Sequence, residues 1–77
     1  MACRVGITMD PDERKRYWRS RYHTFRNWRI AGHYNSKKEA QQEVTRLAEI
    51  WGCEAPPDGV GPEQASWYVY VFAHDGY

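Results

Sequence analysis

Two hydrophobic patterns run along this chain, one with the period of a strand and one with the period of a helix. Apolar side chains occupy alternate positions over residues 3–8 and again over residues 28–34. Residues 67–73 form a near-continuous aromatic and β-branched run, which is typical of a central strand. The sequence therefore predicts three strands.

The second of these strands has an irregular position. Trp28 and Ile30 are expected on one face, and Arg29 and His33 on the other, because strand side chains alternate. Gly32 interrupts this alternation. A glycine inside a strand indicates a bulge or a close approach of another group to the backbone.

The first helix is predicted over residues 11–22. Asp10 is a good N-cap, and Glu13 stands three positions later, as in a capping box. The apolar positions Trp18 and Tyr22 are four residues apart and therefore share one face. Most of the remaining helix surface is Arg and Lys, so the helix presents a row of cations.

A second and stronger helix follows the capping box from Ser36 to Glu39. It is expected to stop before Gly52, since glycine is favoured just after a helix C-terminus. Its apolar stripe consists of Ala40, Val44, Leu47, Ala48 and Trp51. Such a stripe is typical of an amphipathic helix that packs on a sheet.

The element order β-α-β-α-β predicts one small α/β (α+β) domain over residues 1–77. Residues 53–66, rich in Pro and Gly, are expected to form a loop, and residues 74–77 a frayed tail. The third strand is the most apolar and should lie in the middle of a three-stranded sheet. Right-handed crossovers would place both helices on one face and leave Tyr68 and Tyr70 on an open face.

The composition narrows the class of protein. The 77 residues are 42% hydrophobic, no run approaches the roughly 20 apolar residues that span a bilayer, and the first residues carry no apolar export segment. We therefore expect a cytoplasmic protein without a membrane partner. In that compartment Cys3 and Cys53, which lack metal-ligand spacing, are expected to be reduced thiols rather than a disulfide.

Charge is strongly segregated along the chain. Residues 1–38 contain ten of the eleven Lys and Arg and three acids, a net charge of +7, whereas residues 39–77 contain one base and seven acids, a net charge of −6. This asymmetry indicates a basic surface with nucleic acid as its partner. The alternative is that the two halves pack together and their charges screen each other.

Aromatic residues are interleaved with the cations of the basic half. This combination suits both neutralisation of phosphates and stacking on bases. Arg14, one turn into the first helix, is well placed to meet a phosphate. The other residues predicted to bind nucleic acid are Arg4, Lys15, Arg16, Tyr17, Arg19, Arg21, Arg26 and Arg29.

Three short motifs resemble the GIY-YIG nuclease domain. Residues 5–11 (VGITMDP) followed by Arg14 are similar to the family's second strand, turn and arginine-bearing helix. Residues 35–40 with Glu43 resemble the helix that brings the metal-binding glutamate, and residues 67–72 resemble the family's first strand. Since that strand comes last here, the resemblance implies a circular permutation.

The resemblance implies Mg²⁺-dependent hydrolysis of a phosphodiester, with DNA favoured as the nucleic acid. Arg14 would neutralise charge on the phosphoryl group, and Tyr68 or Tyr70 would position or deprotonate the attacking water. Glu43, or as the less favoured alternative Glu39, would bind Mg²⁺. Arg4 stands where the family has the tyrosine of its YIG motif. The resemblance is thus compatible with an active endonuclease or with a divergent, inactive relative.

Two other classes of function fit the same sequence. The strand-to-helix units that begin at Arg4 and Arg29 loosely resemble SPOR-type peptidoglycan-binding domains, which would imply a glycan ligand. A non-catalytic protein-interaction or regulatory module would instead use the open sheet face or the acidic half. Aromatic side chains on an open face also favour association, which points to a homodimer.

Overall fold

The computed structural model describes residues 2–55 and 59–77, so residues 56–58 of the predicted loop lie outside the described part. Its elements are β1 (Ala2–Thr8), α1 (Pro11–Arg21), β2 (Arg26–Tyr34), α2 (Lys37–Trp51) and β3 (Trp67–His74). The predicted order β-α-β-α-β is confirmed. No helix in the described ranges is long and apolar enough to cross a membrane.

Both helices begin and end as their sequences predict. The Asp10 carboxylate accepts a hydrogen bond from the Glu13 N–H at 3.2 Å, and the Ser36 hydroxyl accepts one from the Glu39 N–H at 3.3 Å. Gly52 closes α2 with a φ of 67°, a left-handed conformation that costs glycine little. The Asp10 cap fixes the first turn of α1 and therefore the position at which its basic residues begin.

The three strands form one antiparallel sheet in the order β1-β3-β2. Val71 of β3 lies between Val5 of β1 and Arg29 of β2. This order confirms the prediction that the third strand is central. Its apolar residues are buried on both faces of the sheet.

One face of the sheet carries α2. Alternate residues of β1 and β3 meet the apolar stripe of the helix in a continuous buried cluster. Its members are Val5, Ile7, Ala40, Val44, Leu47, Trp67, Val69 and Val71. This cluster is the main hydrophobic core.

The other face carries α1 through an aromatic cluster. Trp18, the one buried residue of α1, packs on Tyr70 and Phe72, and its indole N–H donates a hydrogen bond to the Tyr70 hydroxyl at 2.9 Å. Phe25 and Trp28 pack beside them, so Tyr70 and Phe72 are fully covered. The second core is thus built almost entirely from rings.

The expectation that both helices share one face is wrong. The preference for right-handed crossovers applies to connections between parallel strands. β2 and β3 are antiparallel, so that rule does not fix the side on which α2 lies. Consequently the second face is covered by α1, and Tyr70 lies in the core rather than on an open surface.

The two cysteines form a disulfide, which corrects the prediction of free thiols. The main chain after α2 runs beside β1: the Val5 N–H donates to the Glu54 carbonyl, and the Glu54 N–H donates to the Cys3 carbonyl, each at 2.9 Å. This pairing brings Cys53 next to Cys3, with 4.8 Å between their Cα atoms. The prediction rested on compartment alone and held no information on this contact.

The C-terminal residues are tied to the body of the domain, so the predicted frayed tail is also wrong. The Thr24 N–H and hydroxyl both donate to the Tyr77 carbonyl, and the Asp75 N–H donates to the Thr24 hydroxyl. Arg26 forms a two-point contact with the Asp75 carboxylate, the shorter at 2.8 Å. These contacts hold the end of β3 beside the start of β2.

His74 gives the stability of this fold a pH dependence. It is buried against the Tyr22 ring and its Nδ1 accepts a hydrogen bond from the Gly76 N–H, so the ring is neutral. Burial, reinforced by the charge of Arg4, lowers the pKa of His74 below its usual value. An unfolded chain takes up this proton near pH 6.5, so the contribution of His74 is present above that pH and is lost as the pH falls.

We therefore expect the urea midpoint of unfolding to fall between about pH 7.5 and pH 5. In His74→Phe, which keeps a ring on Tyr22 but cannot titrate, the fall should be smaller. The carboxylates with lowered pKa values, Glu43, Glu63 and Asp75, titrate below this window. An equal fall in both proteins would contradict the role of His74.

Candidate nucleic-acid interface

The cations of α1 form a solvent-facing surface. Asp10 and Pro11 start the helix, Asp12 and Glu13 favour its positive end, and Trp18 is its one buried residue. Arg16, Arg19 and Arg21 are exposed and Arg14 and Lys15 are half-buried, so the charge is spread around two turns of the helix. We call these five side chains the α1 cation row: Arg14, Lys15, Arg16, Arg19 and Arg21.

The row carries no salt bridge in the part of the chain that the structure describes. The ion pairs there are Arg4–Glu54, Arg26–Asp75 and Arg46–Glu43. α2 packs on the far side of the sheet from α1, so the two helices do not screen each other. The two halves of the chain do so in part, because Arg4 and Arg26 pair with Glu54 and Asp75, but neither pair includes a cation of α1. The α1 cation row thus keeps its positive field.

Three other arginines predicted to bind nucleic acid have partners within the fold. Arg4 pairs with Glu54 at 2.9 Å and lies over the Trp18 ring, and Arg26 pairs with Asp75. Arg29 lies over Trp51 on the α2 face. These three arginines stabilise the fold locally and stand apart from the α1 cation row.

Arg14 occupies the position predicted for it, beside the end of β1. It lines a cleft of about 160 Å³ together with Thr8, Gly59 and Trp67. Its guanidinium carbon lies 4.9 Å from the centre of the Tyr17 ring, and its Nε atom is buried without a hydrogen-bond partner among the described residues. Asp10 and Glu13 line the same cleft, and their carboxylates oppose the approach of a phosphate to Arg14 from that side.

The predicted catalytic residues are not brought to one place. Tyr70 is fully buried and its hydroxyl is bonded to Trp18, whereas Tyr68 is half-buried on the same face. Glu43 belongs to α2, which packs on the opposite face. A site that combined Glu43 with either tyrosine would have to cross the sheet.

The carboxylate predicted to bind Mg²⁺ is engaged by an arginine of the same helix. Both carboxylate oxygens of Glu43 accept hydrogen bonds from Arg46, and this contact lowers the pKa of Glu43. Among the described residues no group of three or more His, Cys, Asp or Glu is arranged to hold a metal ion. A cation at Glu43 would have to displace the Arg46 guanidinium from both carboxylate oxygens.

Sequence reasoning missed one pair of rings on the α1 face. The register of β2 shifts between Ile30 and Gly32, which confirms the predicted bulge. As a result His33 lies opposite Tyr68 and stacks on it, instead of pointing away from Ile30. Gly32 indicated a bulge in the sequence. The side of the sheet on which His33 lies, however, depends on the pairing of β2 with β3 after that bulge.

No protein-family model, curated protein or solved structure matches this chain. The resemblance to GIY-YIG nucleases therefore rests on the three short motifs alone.

Proposed function

We propose that this domain binds nucleic acid through the α1 cation row, with DNA favoured. The observation that carries the proposal is the set of five cations on two helical turns that lacks a salt bridge in the described part of the chain. Each strand of a duplex carries one phosphate per about 3.4 Å of the axis, so the roughly 10 Å spanned by Arg14 to Arg21 matches about three phosphates on each strand.

We further propose that the domain binds without cutting, as a divergent relative of the nucleases it resembles. The positions of Tyr70 and Glu43 on opposite faces support this view, as does the contact of Glu43 with Arg46. Incubation of the complex with Mg²⁺ should yield no shortened strands. Products that require Mg²⁺ and disappear in Arg14→Ala would contradict this part of the proposal and restore the catalytic role of Arg14.

Charge removal tests the binding surface. Duplex affinity should fall steeply with salt, with a slope of log K against log salt of about −4 to −5 for five neutralised phosphates. Replacing both Arg16 and Arg19 by Gln should reduce the slope by about 2 and weaken binding at every salt concentration. The measurement is fluorescence anisotropy of a labelled duplex over a salt series.

The matched control removes the same charge from the other face. Lys38 and Arg46 are both exposed on α2, and their double Gln variant should keep the wild-type slope. Equal slopes for the two double variants would mean that net charge, and not the α1 cation row, drives binding. Absence of salt-sensitive binding by the wild-type protein would contradict the proposed function itself.

The compartment and the oligomeric state stay predictions. A cytoplasmic location was expected from the sequence, yet the Cys3–Cys53 cross-link is of the kind that persists in oxidising compartments. Protein extracted in the presence of an alkylating agent, which blocks free thiols before air oxidises them, should carry no alkyl group on Cys3 or Cys53 if the bridge forms in the cell. The homodimer was expected from an open sheet face, and α1 now covers much of that face.

A further inference from the structure

A pair of stacked rings lies at the end of the sheet where α1 begins. His33 of β2 and Tyr68 of β3 are cross-strand neighbours, with ring centres 4.6 Å apart and planes inclined by 20°. His33 is exposed and Tyr68 is half-buried. The pair is therefore a flat aromatic surface that solvent reaches.

The other rings of this face have different surroundings. Tyr70 is stacked under Trp28 at 4.9 Å, and Phe72 packs against Trp18 and Phe25. These rings fill the core beneath α1. The His33–Tyr68 pair lies beyond them and presents an outer ring to solvent.

A cation of the proposed phosphate surface lies at the same end of the sheet. Thr8 is paired with Tyr68 in the register of β1 and β3, and Thr8 and Arg14 line the same cleft. Tyr17, 42% exposed, lies under the Arg14 guanidinium. Positive charge and exposed rings therefore lie at the same end of the sheet, where the Arg14 cleft opens beside Trp67 of the α2-facing core.

We propose that the His33–Tyr68 pair stacks on a base of single-stranded nucleic acid whose phosphates follow the α1 cation row. This inference rests on the proposed function and adds the class of nucleic acid. A duplex keeps its bases stacked on one another, whereas a single strand can turn a base onto an aromatic ring. The α1 cation row together with the His33–Tyr68 pair should therefore bind a single strand more tightly than a duplex.

The test compares a labelled oligothymidine with a duplex of the same length. We expect the wild-type protein to bind the single strand about tenfold more tightly at equal salt, since stacking adds to the phosphate contacts. His33→Ala should remove about tenfold of the single-strand affinity. Its duplex affinity should stay within about twofold, because duplex phosphates bind without the rings.

Two further variants separate stacking from misfolding. His33→Phe keeps a flat ring and should restore single-strand binding to within about twofold of the wild type. Trp51→Ala removes an exposed aromatic side chain from the α2 face and should leave both affinities unchanged. Circular dichroism of each variant confirms that the fold is retained.

The outcomes distinguish this inference from the proposed function. Salt-sensitive binding of both probes with equal affinity, unaffected by His33→Ala, would overturn the stacking role and leave the basic surface intact. Binding of neither probe would overturn both. As a direct readout, the ring protons of His33 should shift upfield in NMR spectra when oligothymidine is added, and unchanged ring signals would count against stacking.

Discussion

Removing the Cys3–Cys53 cross-link is expected to lower the free energy of unfolding by about 4 kcal/mol. The bond joins residues 50 apart, so it closes most of the chain into one loop and strongly restricts the unfolded state. A domain of 77 residues has only about 4–12 kcal/mol of total stability. The reduced protein should therefore be close to unfolding at 37 °C.

The measurement is urea unfolding of the oxidised protein, of the same protein in reductant, and of the Cys3→Ala, Cys53→Ala double variant. The reduced protein is the matched control, because it loses the bond and no atoms of the side chains. The two cross-link-free proteins should unfold at similar urea concentrations, well below the oxidised one. A loss of less than about 1 kcal/mol would contradict the loop-closure argument and would mean that the reduced chain is already restricted in its unfolded state.

Trp18→Ala is expected to cost about 3–5 kcal/mol and to detach α1 from the sheet. Trp18 is the one buried residue of the helix, and its ring contacts Phe72 at 5.4 Å and Tyr22 at 5.8 Å between centres. Truncation leaves a cavity between the helix and Tyr70. Because the α1 cation row depends on the docked helix, nucleic-acid affinity should fall in the same variant.

The neighbouring ring provides the matched control. Tyr17 is aromatic, stands on the same helix and is 42% exposed, so Tyr17→Ala should cost less than about 1 kcal/mol. Trp18→Phe keeps most of the packing and loses the hydrogen bond to Tyr70, a cost of about 1 kcal/mol beyond the lost ring area. Equal losses for Tyr17→Ala and Trp18→Ala, measured by urea unfolding, would contradict the assigned role of Trp18.

The elements of this fold could be predicted because their signals are local. Asp10 and Ser36 are residues favoured at helix N-caps, and Gly52 is a residue favoured at the end of a helix. The apolar run from Trp67 marks a strand buried on both sides, which can only be central. Each of these inferences depends on residues that are close together in the sequence.

The features that sequence reasoning missed depend on contacts between distant residues. Cys3 meets Cys53 only because the chain after α2 pairs with β1. The side of the sheet on which α2 lies depends on the antiparallel direction of β3 relative to β2. Neither the disulfide nor the position of α2 can be inferred from residues that are neighbours in the sequence.

The candidate site shows the same division. The α1 cation row could be read from the sequence, because charge and helix periodicity are both local properties. The separation of Glu43 from Tyr68 and Tyr70 could not, since it follows from the helices lying on opposite faces. The stacking of His33 on Tyr68 required the register on both sides of Gly32.

The sheet order also decides when this protein can fold during its synthesis. β1 and β2 each pair with β3 and not with each other, and β3 is the last of the five elements to be synthesised. A nascent chain that ends before Trp67 therefore has two helices and two unpaired strands but no ladder to join them. Folding is accordingly a single late event, in which the arrival of eight residues completes both cores at once.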